Sequence, residues 1–219
     1  INQDFGVYDA PDDLLAEHQQ EMSPIKALLY RTIGRFVMNR NVRKIRNNVE
    51  VPMVFLLYYN VMVQYGIEKF FKCCQETGVD GLIIPDLPYE ESDEIKEYTE
   101  KYGVYQISLV SPTSKDRIKN IAKDAKGFLY CISSLGVTGE KSSFVTNFDE
   151  FVGTIKKYTD VPACVGFGVS NGEQVKELTK YFDGAIVGSA IVKSIATGES
   201  VEERINNLRA KIKDLKSGL

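Results

Sequence analysis

The sequence predicts an α/β protein whose strands form a parallel sheet, and three observations support this prediction. From residue 51 onward, short apolar runs alternate with amphipathic stretches, the order that builds βα units. The runs are almost continuously hydrophobic, as strands buried on both faces are. The units repeat about every 27 residues, which fits a TIM-type (β/α)8 barrel, with an open doubly wound sheet as the alternative.

Apolar runs of strand length follow one another along this part of the chain. The predicted strands cover residues 51–59, 81–85, 105–110, 127–132, 163–167 and 185–187. Because these runs alternate with helical stretches, each strand is expected to lie parallel to the next.

Helical spacing of apolar residues separates the strands. Positions i, i+3, i+4 and i+7 are filled by Ile67, Phe70, Phe71 and Cys74, and residues 148–155 repeat this spacing. Each stretch is predicted to form a helix that buries one face. Only one of the adjacent Cys73 and Cys74 is therefore expected to face the core.

Two Ser-x-x-Glu sequences mark predicted helix starts. Ser170 with Glu173, and Ser200 with Glu203, have the form of a capping box, in which serine and glutamate side chains bind free amides of the first turn.

Composition limits the function classes. The chain has 219 residues, 43% of them hydrophobic and 26% charged, enough for one sizeable core, and it lacks a long apolar run. A net charge of −3, with no basic stripe, argues against a nucleic-acid partner, and membrane association is not expected. The four cysteines have no Cys-x-x-Cys spacing, which indicates reduced thiols and a cytoplasmic location.

Residues 1–50 differ from the rest of the chain. Only residues 5–8 could form a strand there, whereas a helical stripe of apolar residues runs from Ile25 toward Ile45. We predict one (β/α) barrel domain over residues 1–219, with residues 1–50 as a divergent N-terminal segment.

Two glycine-containing segments follow consecutive predicted strands. Gly166-Phe167-Gly168 ends one strand, and Gly188-Ser189-Ala190 ends the next and opens a helical stretch. Glycine lets the backbone approach an anion, and the first amides of a helix favour one. In a (β/α) barrel this position commonly binds phosphate. The alternative is that these glycines only form tight turns.

A third glycine-rich segment covers residues 133–139 and runs into a polar stretch. Small hydrogen-bonding residues between glycines suit a lid that closes over a ligand. An ordinary surface loop is the alternative.

Five strings in the same order carry a resemblance to a known family. They are LLYYN (56–60), DGLIIPDLPYEES (80–92), GFLYCISSLGVTG (127–139), VGFGVS (165–170) and DGAIVGSAIVKSI (183–195). Together, over roughly residues 42–195, they resemble the alpha subunit of tryptophan synthase. The Pro-Asp-Leu-Pro and Ser-x-Leu-Gly-Val-Thr-Gly strings are the most specific, because other phosphate-binding barrels would share only the Gly-Phe-Gly and Gly-Ser endings.

This resemblance implies a lyase of tryptophan biosynthesis. It would cleave indole-3-glycerol phosphate to indole and glyceraldehyde 3-phosphate, with no cofactor or metal ion of its own. The indole would pass through a tunnel to a beta subunit that carries pyridoxal phosphate.

The resemblance also implies site residues. The phosphate would be held by the backbones of Gly139, Gly168, Gly188 and Ser189. The indole pocket would be lined by Tyr130, Phe167, Leu56, Ile83 and Ile186. Thr138 would belong to the closing loop, and Asp86 and Pro88 would face the beta subunit. For Asp86, a helix-capping or solvated carboxylate is the alternative.

The start of the chain departs from the family pattern. Members use a glutamate in a Glu-Leu-Gly-x-Pro string and an aspartate in the following loop. The cleavage needs both, because one group has to donate a proton to the substrate and the other has to accept one. Neither string is intact in this chain. Counting back from residue 51 makes Asp4 the candidate for the glutamate, one methylene shorter, and Asp12 or Asp13 the candidate for the loop aspartate, with Asp13 preferred.

The same count predicts a barrel that lacks or rearranges its first βα unit. The strand at residues 5–8 and the last strand would then border an open seam with unpaired backbone groups. An upstream segment, a rearranged N-terminal segment or a second chain could cover this seam. We therefore expect self-association or ligand-dependent stability.

Three functions remain open from the sequence. The first is an active lyase of the alpha type. The second is a catalytically impaired alpha-like subunit that binds phosphate and only modulates a beta-type partner. The third is an unrelated phosphate-binding barrel enzyme. It is disfavoured because the Pro-Asp-Leu-Pro string has no reason to occur in such an enzyme.

Overall fold

The computed structural model describes residues 41–114, 116–132, 148–166 and 168–219. These residues fall into two compact units, called here the first unit (41–108) and the second unit (109–219). The single domain over residues 1–219 stays a prediction. Most of the N-terminal segment, including the short strand expected at 5–8, lies outside the described residues.

The first unit alternates helices and parallel strands, as predicted. Its elements are α1 (Arg43–Arg46), β1 (Val54–Leu56), α2 (Tyr59–Tyr65), α3 (Ile67–Thr77), β2 (Gly81–Ile83), a 3-10 turn (Tyr89–Glu91), α4 (Asp93–Tyr102) and β3 (Tyr105–Gln106). The strands pair in the order β1-β2-β3. Apolar side chains from the helices and from β2, among them Met62, Phe71, Leu82 and Ile95, form one buried cluster.

The second unit continues the same alternation. Its elements are β4 (Leu109–Val110), α5 (Ile118–Asp124), β5 (Leu129–Ile132), α6 (Phe148–Lys156), β6 (Ala163–Gly166), α7 (Gly172–Leu178), β7 (Gly184–Ile186), α8 (Ser189–Ala196) and α9 (Val201–Lys216). The strands pair in parallel in the order β4-β5-β6-β7. Leu129, Ile155 and Val165 are fully buried between strands and helices.

Two predicted strands differ from the observed ones. The run at 105–110 is split, because β3 pairs with β2 whereas β4 pairs with β5. The run at 51–59 shortens to β1, since the backbone turns into α2 at Tyr59. Apolar runs fix where strands lie, but hydrogen-bonding partners from distant parts of the chain fix their ends.

The two helices predicted from apolar spacing are confirmed as α3 and α6. The expectation for the cysteines is wrong, because Cys73 and Cys74 are both buried. Helices α2 and α4 both pack against α3, so more than one stripe of this helix is covered. None of the helices in the described ranges is both long and apolar enough to cross a membrane.

One of the two predicted capping boxes is present. The Ser200 side chain accepts from the Glu203 amide, and Glu203 reaches back to the Ser200 amide. The prediction at Ser170 is wrong, because Asn171 caps α7 by accepting from the Gln174 amide at 2.9 Å. Asparagine is as good an N-cap as serine, and it lies one residue closer to the helix.

An aspartate directly before a strand recurs in both units. Asp183 precedes β7 and accepts hydrogen bonds from the Ala163 amide at 2.8 Å and from Lys156 at 2.6 Å. Asp80 precedes β2 and accepts from the Met53 amide at 2.7 Å and from an arginine of α1. Each carboxylate thereby ties the start of its strand to that of the preceding strand, at the amino end of the sheet.

Asp183 makes stability depend on acidic pH. Partial burial acts to raise the pKa of this carboxyl, but the Lys156 hydrogen bond, the Ala163 amide and the Lys156 charge outweigh it and hold the pKa below its ordinary value. A carboxyl with a lowered pKa stabilises the fold above its unfolded-state pKa of about 4, and this contribution disappears as the pH falls through the folded-state pKa.

We expect Asp183→Asn to flatten the decline of melting temperature below about pH 4. The change should be less than about 1 kcal/mol, because the pair is partly exposed and screened by solvent. Asp160→Asn is the control, since among the described residues this exposed carboxylate has no hydrogen-bond partner. Identical pH profiles of melting for Asp183→Asn and the unaltered protein would contradict the prediction.

Candidate functional site

The carboxyl ends of β5, β6 and β7 lie at one level of the sheet. Ile132 pairs with Gly166, and Gly166 pairs with Ile186. Gly168 and Gly188 each follow two residues after this level. The loops after β6 and β7 therefore start side by side, at the sheet edge where ligands of parallel α/β proteins bind.

Gly168 has a backbone conformation that only glycine adopts easily. Its φ is +70°, and the residue is exposed. An added Cβ there would meet no atom of the described residues within 4 Å. Among the described residues, the space beside the Gly168 backbone is therefore open to a bound group.

The loop after β7 leads directly into α8. Gly188 is the N-cap, and its carbonyl accepts from the amides of Ile191 at 2.9 Å and Val192 at 3.2 Å. The first amides of a helix point beyond its N-terminus, at the positive end of the helix dipole. The first turn of α8 thus has free amides and a favourable dipole for an anion, as the sequence predicted around Gly188 and Ser189.

Tyr130 packs directly against the backbone at the end of β6. This side chain starts from β5 and is 3% exposed. A Cβ at Gly166 would lie 2.5 Å from Cζ and 2.7 Å from Cε1 of the tyrosine, too close for any side chain. Glycine at position 166 is therefore what allows the Tyr130 ring to reach the carboxyl edge, next to the loop that contains Gly168.

The first unit brings together the other two described pocket candidates. Leu56 ends β1, Ile83 ends β2, and the two are partners in the parallel ladder. Because ladder partners project from the same face of a sheet, their side chains form one apolar surface. Ile83 is buried and Leu56 is half-buried.

Asp86 holds the start of α2. Its two carboxylate oxygens accept from the Tyr59 amide at 2.8 and 3.1 Å. The Tyr59 hydroxyl donates to Glu94 of α4, and this bond, with burial and the charge of Glu94, raises the pKa of Tyr59 to about 12. Asp86 therefore serves as a helix cap, the alternative considered from the sequence. Asp86 and Pro88 are both exposed, and their contact with a partner stays a prediction.

The structure brings together only some of the predicted site residues. Leu56, Ile83, Asp86 and Pro88 lie in the first unit. Tyr130, Gly168, Ile186, Gly188 and Ser189 lie in the second. Asp4, Asp13, Thr138, Gly139 and Phe167 are outside the described residues, so their roles stay predictions.

Thiol chemistry does not suit this site. Burial raises the pKa of Cys74 to about 12 and also raises the pKa values of Cys131 and Cys164. A thiol with a raised pKa is a poor nucleophile near neutral pH. These cysteines therefore act as small apolar side chains of the core.

Sequence reasoning missed the side chains that hold the loops. Glu94 accepts from Tyr59, and Lys211 and Asp214 of α9 contact the segment that follows Gly168. These contacts join residues 35 to 42 positions apart, and no local motif marks them. The one local signal was Asn171, the N-cap directly before α7, and it marks a helix start rather than these contacts.

Comparison with known proteins relates the chain to one family. The family model described as "Tryptophan synthase alpha chain" matches residues 34–219. A tryptophan synthase alpha chain from Thermoanaerobacter sp. (strain X514) is 47% identical over 178 residues, covering 81% of this chain and 68% of the relative. The one from Alkaliphilus metalliredigens is 44% identical over 179 residues, with coverages of 80% and 67%.

Solved structures give the same relationship. Tryptophan synthase subunit alpha from Campylobacter jejuni has a TM-score of 0.68 at 38% identity, covering 77% of this chain and 66% of that one. A chain of the a2b2 complex from Pyrococcus furiosus has a TM-score of 0.69 at 31% identity, with coverages of 80% and 71%. The chain thus spans about two thirds of the length of these relatives. The likeness confirms the predicted fold class, a TIM-type (β/α) barrel.

Proposed function

Since the chain belongs to the tryptophan synthase alpha chain family, we propose that it cleaves indole-3-glycerol phosphate to indole and glyceraldehyde 3-phosphate. It acts as a carbon–carbon lyase of tryptophan biosynthesis, beside a beta subunit that uses the indole. We also propose a cytoplasmic location, because the cysteine pattern indicates reduced thiols.

One observation carries this proposal: two phosphate-type loops leave adjacent strands of the second unit at the same level. Within the described part of the chain, nothing fills the space beside Gly168, whose φ is positive. Gly188 is the N-cap of α8, so the positive end of the helix dipole faces this side of the loop. A phosphate monoester fits this pair, because it needs backbone donors and a favourable dipole more than it needs a lysine.

Apolar surface at the strand ends suits the other half of the substrate. Tyr130 and Ile186 offer it in the second unit, beside the two phosphate-type loops. Leu56 and Ile83 form a separate apolar surface in the first unit, and their part in the indole pocket is a proposal from the family resemblance alone. An indole ring is stabilised by burial against such side chains, and an aromatic partner adds a favourable ring contact. Substrate specificity then comes from a flat apolar group at one end and a phosphate at the other.

The bond cleavage itself needs an acid and a base. A proton is added to the ring carbon that carries the glycerol chain, and a proton is removed from the adjacent hydroxyl. The carbon–carbon bond then breaks into indole and an aldehyde, with atoms and charge balanced. Asp4 and Asp13 supply these carboxyl groups in our proposal.

A second candidate is an alpha-like subunit that binds phosphate and a partner without turnover. One observation favours it: the family match begins at residue 34, beyond both Asp4 and Asp13. The two candidates share the phosphate loops and the partner-facing residues, and they differ only in chemistry.

Sedimentation with a purified tryptophan synthase beta subunit tests the partner. We expect a stable complex and a changed rate of tryptophan formation from indole and serine. Pro88→Glu should weaken the complex about tenfold if Pro88 faces the partner. Lys126→Glu, in the second unit, is the control. The same measurement without the beta subunit tests the predicted self-association. Absence of a complex at micromolar concentrations would contradict the alpha-subunit role.

A further inference from the structure

The C-terminal helix α9 contacts the segment that follows the Gly168 loop. Lys211 donates to the Ser170 carbonyl at 3.1 Å, and Lys211 also pairs with Asp214 at 3.2 Å. The Gly172 amide, the first of α7, donates to the other oxygen of Asp214 at 3.4 Å. One lysine–aspartate pair of α9 thus binds a carbonyl of the β6–α7 connection and the first amide of α7.

Close backbone packing seats the end of α9 on the first turn of α7. A Cβ at Gly172 would lie 2.8 Å from the Ser217 hydroxyl. A Cβ at Gly218 would lie 2.9 Å from both the Lys176 amide and the Val175 Cβ. Gly218 is buried, although it is the penultimate residue of the sequence. The glycines therefore let the two helices meet at a distance that side chains would prevent.

Ser170 is fixed from both sides. Its carbonyl is held by Lys211, while its amide and its hydroxyl both donate to Gln174 of α7, at 2.7 and 3.0 Å. Gly168 precedes Ser170 by only two residues and follows Gly166, which is anchored in the sheet and against Tyr130. The described residues two positions before and two positions after Gly168 are thus both anchored by neighbouring elements.

We propose that Lys211 and Asp214 are positioning residues that hold the Gly168 loop in the geometry that binds the substrate phosphate. This inference rests on the proposed function. Asp214 neutralises the Lys211 charge and Lys211 donates to a carbonyl, so the pair acts through the placement of the loop rather than by attracting the anion. A group that holds a binding loop in place determines how well its donors fit the ligand.

Equilibrium binding of two probes tests this role. Glycerol 3-phosphate supplies the phosphate end of the substrate, and indole supplies the apolar end. We expect Lys211→Met to weaken glycerol 3-phosphate binding about tenfold and to leave indole binding unchanged. Lys211→Arg, which keeps a charged donor, should recover most of the affinity.

Lys213→Met is the matched control. It lies on the same helix, and within the described ranges its ammonium group has no hydrogen-bond or ion-pair partner. It should bind both probes as the unaltered protein does. Asp214→Asn gives a second test, because it removes the ion pair and keeps an acceptor for the Gly172 amide; we expect an intermediate loss of phosphate affinity at an unchanged melting temperature.

The outcomes separate this inference from the proposed function. Unchanged glycerol 3-phosphate binding in Lys211→Met, or an equal loss for both probes, would overturn the positioning role alone. If the unaltered protein fails to bind glycerol 3-phosphate, the phosphate site of the proposed function is wrong, and the inference falls with it. If Lys211→Met does not fold, glycerol 3-phosphate binding by Asp214→Asn and Lys211→Arg tests the positioning role instead.

Discussion

Replacement of Asp4 by alanine is expected to reduce indole release by about 10²- to 10⁴-fold, the usual contribution of a general acid or base. Asp13→Ala should give a loss of the same order. The reason is chemical, since the cleavage moves one proton onto the ring and takes another from the hydroxyl. The measurement is kcat for indole release under saturating indole-3-glycerol phosphate.

Asp4→Glu is the more specific variant, because it keeps the carboxylate and changes only the length of the side chain. Counting back from residue 51 makes Asp4 the candidate for the family's glutamate, and a side chain shorter by one methylene would displace the carboxylate by about 1 Å. A displacement of this size can cost about a hundredfold in rate, so Asp4→Glu should raise kcat by up to that factor. Asp9→Ala is the control within the same segment. Equal rates for Asp4→Ala, Asp4→Glu and the unaltered protein would show that Asp4 is not the acid or the base.

The second large effect is expected from Gly166→Ala. The added methyl group would lie within 2.7 Å of the Tyr130 ring, so either the ring or β6 has to move. Overpacking of this kind destabilises by about 1–3 kcal/mol. Because we propose that Tyr130 lines the indole pocket, a displaced ring should also lower turnover by about a hundredfold. Thermal unfolding and indole release measure the two effects separately.

A double variant isolates the contact between these two residues. In Gly166→Ala with Tyr130→Leu, the ring is gone, so much of the lost stability should return, whereas turnover should stay low because the pocket lacks its aromatic side. Non-additive stability changes of this kind identify direct contact. Gly153→Ala is the control, since among the described residues nothing lies within 4 Å of an added Cβ in α6, and alanine should stabilise that helix by about 0.5–1 kcal/mol. A Gly166→Ala protein that melts and turns over normally would contradict the packing described here.

The sequence predicted those parts of the fold that depend on local pattern. Near-continuous apolar runs gave β2, β5, β6 and β7 to within a few residues. Helical spacing gave α3 and α6, and a capping box marked the start of α9. Each of these signals reflects a free-energy preference that acts within a few residues, such as burial of one face or satisfaction of first-turn amides.

Features set by distant contacts were not predictable in the same way. The split between β3 and β4 depends on which strands offer partners. The burial of both Cys73 and Cys74 depends on two helices that cover α3. The capping role of Asp86 was foreseen only as an alternative, because its partner, the Tyr59 amide, lies 27 residues away.

In the candidate site, too, some features follow from local sequence and others from distant contacts. Gly168 and Gly188 were recognisable as candidates because glycines follow two consecutive strand ends, with tight turns as the alternative. The need for glycine at position 166 arises from Tyr130 on the neighbouring strand, and the anchoring of the Gly168 loop arises from α9. Sequence patterns therefore predicted which backbone would bind the ligand, whereas the structure adds which side chains contact that backbone.

The proposed lyase activity is best tested by indole release from indole-3-glycerol phosphate, followed with and without a tryptophan synthase beta subunit. We predict equal amounts of indole and glyceraldehyde 3-phosphate, inhibition by glycerol 3-phosphate, and faster release in the presence of the partner. A folded sample that binds glycerol 3-phosphate and the beta subunit but forms no indole would contradict the lyase, and would identify the chain as the phosphate-binding subunit without turnover.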